Sequence, residues 1–362
     1  MIIAIYVTLF FVILRFAVTL FNFLSNPKLP HIAHQYNALV SILVPARNEQ
    51  DNILTLLQSI AGQDYPNYEV LILDDNSTDD TYRVCSDFVA TNPRFRVIKG
   101  KKLSDDWLGK NFACHQLAKQ ARGEYFLFLD ADEQVNRQLI NSALHRMKLN
   151  KLALLSLFTN QTMLSPGEKA VVPLMHYILL NLLPLRLVYL LKTPSVAAAS
   201  GQFMLFDAEV YRRHEWHKTV RNKVVEDVEI MRCVKAQKYN GEALLANGMI
   251  SCRMYKSRHE AINGFGKNFL AAFNYSIPGF LLYITLLVGG PLIVIMALNF
   301  QLMFMMIGLI VLTRIMISLL AGQNALVNVL LHPVQMLNLA VIAFTSIQQY
   351  LTKTTVWKGR RI

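Results

Sequence analysis

Apolar residues are concentrated in blocks at the two ends of the chain, with a long segment of mixed polarity between them. Residues 1–24 are nearly all apolar, and three further apolar runs of about 20 residues each follow residue 274. About 20 apolar residues in a helix cross a hydrocarbon core about 30 Å thick. The pattern predicts a transmembrane anchor over residues 1–25 and transmembrane or re-entrant helices over residues 276–351.

The C-terminal runs cover residues 280–298, 302–320 and 334–350, and a basic tail over 352–362 follows them. Lys28 follows the first run, so the positive-inside rule places the next domain, and the basic tail, in the cytoplasm of a multi-pass cell (inner) membrane protein. Three full crossings would leave the tail on the opposite side from that domain. We therefore expect one of the three runs to be re-entrant or interfacial.

The central segment, residues 38–275, alternates short β-rich runs with helical patterns of about ten residues. Strands separated by helices of this length are typical of an α/β fold with a mostly parallel sheet flanked by helices. The predicted strands cover residues 39–46, 68–75, 94–100 and 125–132. The predicted helices between them cover residues 52–61, 79–91 and 110–121.

Two features depart from this division into apolar and mixed segments. Arg15 lies inside the first run, where a charge is costly, so either it faces a polar neighbour or the helix lies at a shallow depth. A further apolar stretch at 170–192 lies between acidic clusters that have to share one side of the membrane to act together. We expect this stretch to lie in the interface plane. A buried helix followed by a loop is the alternative.

The composition supports a membrane protein and a reducing compartment. Hydrophobic residues make up 53% of the chain and charged residues 17%, against about 25% charged in soluble domains. This excludes a disordered chain and argues against a wholly soluble enzyme. The net charge of +12 indicates an anionic partner. No basic helix with interleaved aromatic residues supports nucleic acid, so lipid headgroups or a phosphorylated substrate are expected. The four separated cysteines are predicted to be reduced packing residues.

Two predicted strands end directly in acidic clusters. Asp74 and Asp75 end the second strand, and Asp130 and Asp132 flank the small Ala131 after the fourth. Open α/β sheets bind ligands at the carboxyl edge of their strands, and oxygen ligands of this kind suit Mg²⁺ or Mn²⁺ together with substrate phosphates. Simple capping of the next helix explains the residues that follow Asp75, but it leaves the paired carboxylates unexplained.

Two more segments point to a nucleotide diphosphate at the same edge. Pro45, Ala46, Arg47 and Glu49 follow the first strand, where the arginine and the glutamate could hold a base or a ribose by hydrogen bonds. Lys110 comes at the start of a predicted helix, where backbone amides and an ammonium group together favour a phosphate. A structural turn is the alternative for the first segment.

The ordered motifs PARNE, DDNSTDD, WLGK, DAD and VVEDVEI resemble those of membrane-bound family 2 glycosyltransferases with a GT-A fold. CRMYKS, GFGKNF and VWKGR are similar to signatures of the diaponeurosporenoate-type carotenoid glycosyltransferases. The Q-x-x-R-W motif of processive synthases is absent from the sequence, and Arg253-Met254-Tyr255 stands in its place. The resemblance implies a GT-A nucleotide-diphospho-sugar transferase fold with transmembrane helices.

The resemblance also implies roles for individual residues. Asp75 contacts the base or ribose of a sugar nucleotide, with UDP as the expected nucleotide. Asp132 binds the metal, and Asp130 lies toward the ribose or sugar and is a second metal ligand. Asp227 is the general base, and Glu226 lies beside it near the acceptor. The alternative for VVEDVEI is a solvated helix start whose acidic residues face the helix dipole.

Three further residues are expected on the acceptor or diphosphate side. Gly201 and Gln202 enter a strand, where glycine permits close approach of a ligand to the backbone, although a β-bulge explains them equally well. Arg253 belongs to a basic stretch next to the C-terminal apolar block, and it could contact the diphosphate or anionic headgroups. A solvated juxtamembrane face is the alternative.

Together these features predict an inverting enzyme that moves one sugar from a nucleotide diphosphate to a lipid-like membrane acceptor with the help of a divalent metal. A processive polysaccharide synthase is the alternative among enzymes, and the few apolar segments available to line a glycan channel disfavour it. A non-catalytic module that binds sugar nucleotides at the membrane is the alternative outside enzymes.

Overall fold

A computed structural model describes residues 2–352 and the backbone of residues 356–357 and 360–361. The predicted basic tail, residues 352–362, therefore lies largely outside the described residues. The strands, in chain order, are β1 (Val40–Ala46), β2 (Tyr68–Asp74), β3 (Phe95–Lys99), β4 (Tyr125–Leu129), β5 (Glu133–Val135), β6 (Leu154–Phe158), β7 (Asn160–Gln161), β8 (Phe203–Asp207), β9 (Gly241–Leu245), β10 (Ile250–Cys252), β11 (Val356–Trp357) and β12 (Arg360–Arg361).

The helices alternate with these strands in the central segment and dominate both ends of the chain. They are α1 (Ile2–Ser25), α2 (Ile53–Ala61), α3 (Thr81–Val89), α4 (Gly109–Gln120), α5 (Leu139–Leu149), α6 (Pro166–Lys169), α7 (Leu174–Leu182), α8 (Arg186–Leu190), α9 (Ala208–His214), α10 (Trp216–Thr219), α11 (Glu226–Ala236), α12 (Arg258–Phe269), α13 (Ile277–Ile284), α14 (Gly290–Met296), α15 (Phe300–Leu320), α16 (Ala325–Leu330) and α17 (His332–Thr352). A π-helical turn at Thr285–Gly289 joins α13 to α14.

A seven-stranded sheet of order β3-β2-β1-β4-β8-β6-β9 forms the centre of the fold. The pairs β3-β2, β2-β1, β1-β4 and β6-β9 are parallel, and β8 runs antiparallel to β4 and β6. The prediction of a mostly parallel sheet flanked by helices is confirmed. The predicted strands agree with β1 to β4 within three residues at each end, because each is a short apolar run bounded by polar residues.

The register of the parallel strands positions the polar residues that follow them. Ala46 at the end of β1 pairs with Asp74 at the end of β2, and β4 lies on the other side of β1 in the same direction. Strands β2, β6 and β9 are buried along their whole length, as expected for strands covered on both faces. The segments after β1, β2 and β4 therefore leave the sheet at one edge.

The chain divides into two compact units. The sheet unit comprises residues 27–160 and 185–252, and the helical unit comprises residues 1–26, 161–184 and 253–361. The predicted domain over 38–275 differs from this division, because two of its segments belong to the helical unit. Helix α7 packs against α1, and α12 packs against α17.

Three helices in the described residues are long and apolar enough to cross a membrane: Ile2–Ser25, Ile277–Met296 and Phe300–Leu320. Helix α17 contains the last predicted run but is more polar, and it buries Gln335 and Asn338. The stretch at 170–192 forms α7 and α8, of nine and five residues. Both are shorter than the length of about 20 residues that a crossing requires.

Candidate active site

The loops after β1 and β2 are joined by Arg47. Its Nη1 atom donates hydrogen bonds to the carbonyl oxygens of Asp75 at 2.5 Å and Asn76 at 2.8 Å. The N–H of Asp75 in turn donates to the carbonyl oxygen of Ala46 at 2.8 Å. The residues expected to bind the nucleotide thus lie together, and Arg47 acts in this structure as the link between the two loops.

The carboxylates at this edge differ in their surroundings. Asp74 and Asp75 are both buried, and Asp74 Oδ1 accepts a hydrogen bond from the N–H of Ser77 at 3.3 Å. The N–H of Glu49 donates to Thr81 Oγ1 at 2.7 Å. Asp74 therefore shapes its own turn, and the Glu49 carboxylate accepts a hydrogen bond from Asn52 Nδ2 at 2.9 Å. Contacts of Asp74, Asp75 and Glu49 with the donor stay predictions.

Lys110, at the start of α4, connects the end of β4 to the start of α11. Its Nζ atom lies 2.7 Å from Asp130 Oδ1 and 3.2 Å from Glu226 Oε1, and it donates to the carbonyl oxygen of Gly201 at 3.3 Å. Burial alone would lower the pKa of Lys110, but the carboxylates of Asp130 and Glu226 raise it well above its ordinary value. The ammonium group is therefore a fixed positive charge between two carboxylates that are 96 positions apart in the sequence.

Asp227 is oriented by two backbone amides. Its Oδ2 accepts from the N–H of Gly201 and its Oδ1 from the N–H of Val228, both at 2.8 Å. Burial raises the pKa of Asp227, although these amides favour the ionised form. Burial, opposed by Lys110 and reinforced by Asp227, raises the pKa of Glu226 to about 7. The two adjacent carboxyl groups titrate together, and the pair can accept a proton near neutral pH.

Glycine at position 201 leaves room for the charged side chains of the site. A Cβ atom there would lie 2.9 Å from Lys110 Nζ, 3.0 Å from Glu226 Oε1 and 3.6 Å from Asp227 Oδ2. The sequence predicted a close approach to a ligand or a bulge at this glycine. In the structure the close approach is made by the charged side chains of the site itself.

A second carboxylate cluster follows Asp130. Oxygens of Asp132 and Glu133 and the sulfur of Cys252 lie within 4.8 Å of one another, and the Cys252 thiol donates to Asp132 Oδ2 at 3.4 Å. Burial, with the charges of Asp130 and Glu49, raises the pKa of Asp132 to about 6. Crowded carboxylates of this kind are stabilised by a cation.

Glu133 provides the observation that tests this cluster as a metal site. It is 1% exposed, and its Oε1 accepts from Gln202 Nε2 at 2.7 Å. Its buried Oε2 has no hydrogen-bond partner among the described residues. The oxygens of Asp132 and Glu133 are hard donors of the kind that fit Mg²⁺ or Mn²⁺, whereas the Cys252 sulfur is a softer donor. Asp130, the second predicted metal ligand, contacts Lys110 instead, so binding of the ion by Asp132 and Asp130 stays a prediction.

Glu133 and Cys252 were not predicted as site residues. Glu133 directly follows the D-x-D motif, and this position next to the motif could have identified it. Cys252 lies 120 positions from Asp132 in a strand that pairs with β5. It was predicted only as a packing residue, and its contact with Asp132 was not predicted.

Gln202 and Arg253 have protein partners in the structure. Gln202 is buried, where its Oε1 accepts from Thr159 Oγ1 at 2.9 Å while its amide holds Glu133. Arg253 belongs to the helical unit, and its Nη2 atom lies 2.8 Å from Oε1 of the buried Glu168. Gln202 therefore supports the acidic cluster, and a contact between Arg253 and the donor stays a prediction.

Comparison with known proteins finds a family model that matches part of the chain. Residues 41–214 match the family model described as Glycosyl transferase family 2. A 4,4'-diaponeurosporenoate glycosyltransferase from Staphylococcus haemolyticus is 22% identical over 69% of this chain and 66% of its own length. A beta-monoglucosyldiacylglycerol synthase from a Nostoc species is 35% identical over 28% of this chain and 22% of its own length. The chain thus spans less than two thirds of each of these relatives.

A solved structure shares the fold. The mannosyltransferase PcManGT from Pyrobaculum calidifontis, in complex with GDP-Man and Mn²⁺, superposes with a TM-score of 0.59 at 17% identity. The match covers 95% of this chain and 99% of that chain. At this level of identity the similarity concerns the fold, and it agrees with the predicted GT-A architecture.

Proposed function

We propose that this protein is a family 2 glycosyltransferase that transfers a single sugar, with inversion, from a nucleotide diphosphate to a lipid-like acceptor. The match of residues 41–214 to the Glycosyl transferase family 2 model and the GT-A-like fold support this proposal. The observation that carries the proposal is the contact of Lys110 with both Asp130 and Glu226. This contact joins the D-x-D motif to the acidic pair of α11, which supports one site for donor and acceptor chemistry.

The donor side is assigned to the edge formed by β1, β2 and β4. Asp75 is proposed to contact the base or ribose, with UDP as the expected nucleotide. Asp132 and Asp130 are proposed to hold Mg²⁺ or Mn²⁺, and this ion supplies charge neutralisation to the departing diphosphate when bound. Lys110 offers a second positive charge for the same diphosphate oxygens.

Asp227 is proposed to accept the proton of the acceptor hydroxyl. Its two oxygens are held by the N–H groups of Gly201 and Val228, so the carboxylate is positioned before the acceptor arrives. Positioned general bases contribute typically about 10²- to 10⁴-fold to the rate. Glu226 maintains the charge balance with Lys110 beside it. An acceptor that is itself a carboxylate would not need this base, so the assignment concerns a hydroxyl acceptor.

The membrane location is proposed from the three apolar helices of membrane-spanning length. The names of two relatives, a diaponeurosporenoate glycosyltransferase and a glucosyldiacylglycerol synthase, agree with a lipid-like acceptor. We propose that the sheet unit faces the cytoplasm, where nucleotide sugars are made, as the basic residues after the first helix indicate.

Mass spectrometry of lipid extracts tests this function. Cells that produce the protein should contain a lipid heavier by one hexose or a related sugar unit than its precursor. Cells that produce the Asp227→Asn variant at the same level should lack it. A ladder of several sugar units would contradict single transfer, and identical lipid profiles in both strains would contradict a lipid acceptor.

A further inference from the structure

The helical unit carries most of the protein's excess positive charge. It contains eleven lysines and arginines but only two acidic residues, Glu168 and Glu260. Glu168 pairs with Arg253. Glu260 is exposed and accepts a hydrogen bond from the N–H of Lys256. Neither carboxylate is thus engaged with the arginines buried in the apolar helices of this unit.

Two of these arginines are buried around one aromatic ring. Arg15 of α1 is 6% exposed and Arg314 of α15 is 1% exposed. Their guanidinium carbons lie 5.1 Å and 4.2 Å from the centre of the Tyr177 ring in α7. Both arginines lie inside helices of membrane-spanning length. A cation on an aromatic face gains some stabilisation, but the ring cannot accept the in-plane hydrogen bonds of a guanidinium group.

The groups around this ring include a surplus of hydrogen-bond donors. Arg15 Nε donates to Asn181 Oδ1 at 3.1 Å, which answers the sequence expectation that Arg15 faces a polar neighbour. Several other buried N–H groups of the cluster have no partner among the described residues; they belong to Arg15 Nη2, Asn181 Nδ2, Arg314 Nε and Arg314 Nη2. His332 Nδ1, whose ring lies 5.6 Å from that of Tyr177, is also buried without such a partner.

The chemistry that satisfies these groups is an acceptor with negative charge. Buried cations are unfavourable unless they are paired and hydrogen-bonded, and ionisable residues inside membrane helices commonly mark binding sites. Guanidinium groups match the planar geometry of phosphate and carboxylate oxygens. Since the surrounding helices are apolar, an oxyanion attached to a hydrocarbon chain fits better than a free ion.

We propose that Arg15, Arg314 and Asn181 bind the oxyanion headgroup, phosphate or carboxylate, of an acidic membrane lipid. The proposal rests on the membrane location given above, and it is independent of the transfer reaction. It assigns a binding site to the helical unit that the glycosyltransferase chemistry of the sheet unit does not use.

The test uses the full-length protein in nanodiscs of neutral phosphatidylcholine, with the thermal midpoint measured at one scan rate. Dioleoyl phosphatidic acid and oleic acid supply the two oxyanions, dioleoylglycerol supplies the same chains without charge, and inorganic phosphate supplies the free ion. We expect the two acidic lipids to raise the midpoint by a few degrees. We expect little change with dioleoylglycerol or inorganic phosphate.

The Arg314→Leu and Arg15→Leu variants should weaken binding of the acidic lipids on the order of a hundredfold. Because each removes an uncompensated buried charge, neither should lower the midpoint in neutral nanodiscs. The exposed Lys256→Gln change controls for general attraction to negative membranes. An equal response of wild type and both leucine variants to acidic lipid would overturn the proposal, and so would an equal response to inorganic phosphate. Neither result would affect sugar transfer, which is measured separately.

Discussion

Lys110 Nζ and Asp130 Oδ1 lie 2.7 Å apart, one at the start of α4 and the other directly after β4. This pair determines how the negative charge of the site is balanced, because the same ammonium group also contacts Glu226. The donor diphosphate and metal proposed above would therefore enter a site whose carboxylates already share one internal cation.

Replacing Lys110 by glutamine should shift the pH dependence of transfer. Without the ammonium group the buried carboxylates lose their cation and hold protons more tightly, so the acidic limb of kcat/KM should move up by about 1 pH unit or more. The Lys119→Gln variant, on the exposed part of the same helix, is the matched control. An unchanged acidic limb in Lys110→Gln would contradict the assigned role.

The Asp132→Ala variant should lose metal-dependent binding of the donor. Isothermal titration with UDP and Mn²⁺ measures this directly, and the expected loss of affinity is on the order of a hundredfold, because a charged ligand to the ion is removed. Asp105→Ala, an exposed aspartate of the same unit, serves as the control. Retained Mn²⁺ dependence in Asp132→Ala would show that the metal is held elsewhere.

The Asp227→Asn variant should separate binding from chemistry. The amide retains the shape of the side chain but accepts a proton poorly, so donor affinity should stay near that of wild type while kcat falls by about 10²- to 10⁴-fold. If UDP affinity falls as steeply as it does in Asp132→Ala, the two aspartates have been assigned the wrong roles.

The Gly201→Ala variant should impair transfer without unfolding the protein. The added methyl group displaces Lys110 and Glu226, and displacement of catalytic groups by about 1 Å can cost about a hundredfold in rate. Gly62→Ala is the control, since its new Cβ atom would make only ordinary contacts, the nearest at 3.6 Å. Full activity of Gly201→Ala would mean that these side chains do not act from their present positions.

The free energy of unfolding should depend on pH because of Glu168. Burial opposes its ionisation, but hydrogen bonds from Arg253 and the Leu164 N–H lower its pKa from 4.5 to about 2. Because the folded-state pKa is depressed, the stabilisation is present above pH 4.5 and is lost as the pH falls toward 2. Glu168→Gln should cost about 2–3 kcal/mol at neutral pH.

Thermal unfolding of wild type and Glu168→Gln at pH 7 and pH 3 measures this difference. The gap in midpoint should be smaller at pH 3, whereas the exposed Glu260→Gln variant should show little gap at either pH. A gap that does not shrink in acid would indicate that packing, and not ionisation, accounts for the effect of Glu168→Gln.

Much of the sheet could be predicted because its strands are short apolar runs that end in polar residues. The prediction of Asp130 and Asp132 as site residues rests on the same signal, since a strand end at the carboxyl edge of a parallel sheet is visible locally in the sequence. The contacts of Lys110 with Glu226 and of Cys252 with Asp132 join positions more than 100 residues apart. No local pattern specifies such contacts, so the sequence could supply the residues but not their pairing.

The division into two units was also beyond the sequence pattern. Residues 161–184 contain an apolar stretch and residues 253–275 have mixed polarity, but neither pattern separates them from the sheet unit on either side. Their place in the helical unit follows from packing against α1 and α17, which polarity along the chain does not report.

The interleaving of the two units also constrains biosynthesis. The sheet unit is interrupted after Asn160 and ends only at Cys252, and the helical unit begins at the first residues and resumes twice. The acidic cluster around Asp132 can be completed only after Cys252 has been synthesised. By then the first helix has already left the ribosome. A chain that ends before Cys252 therefore lacks part of the sheet unit, and no single contiguous fragment contains all of either unit.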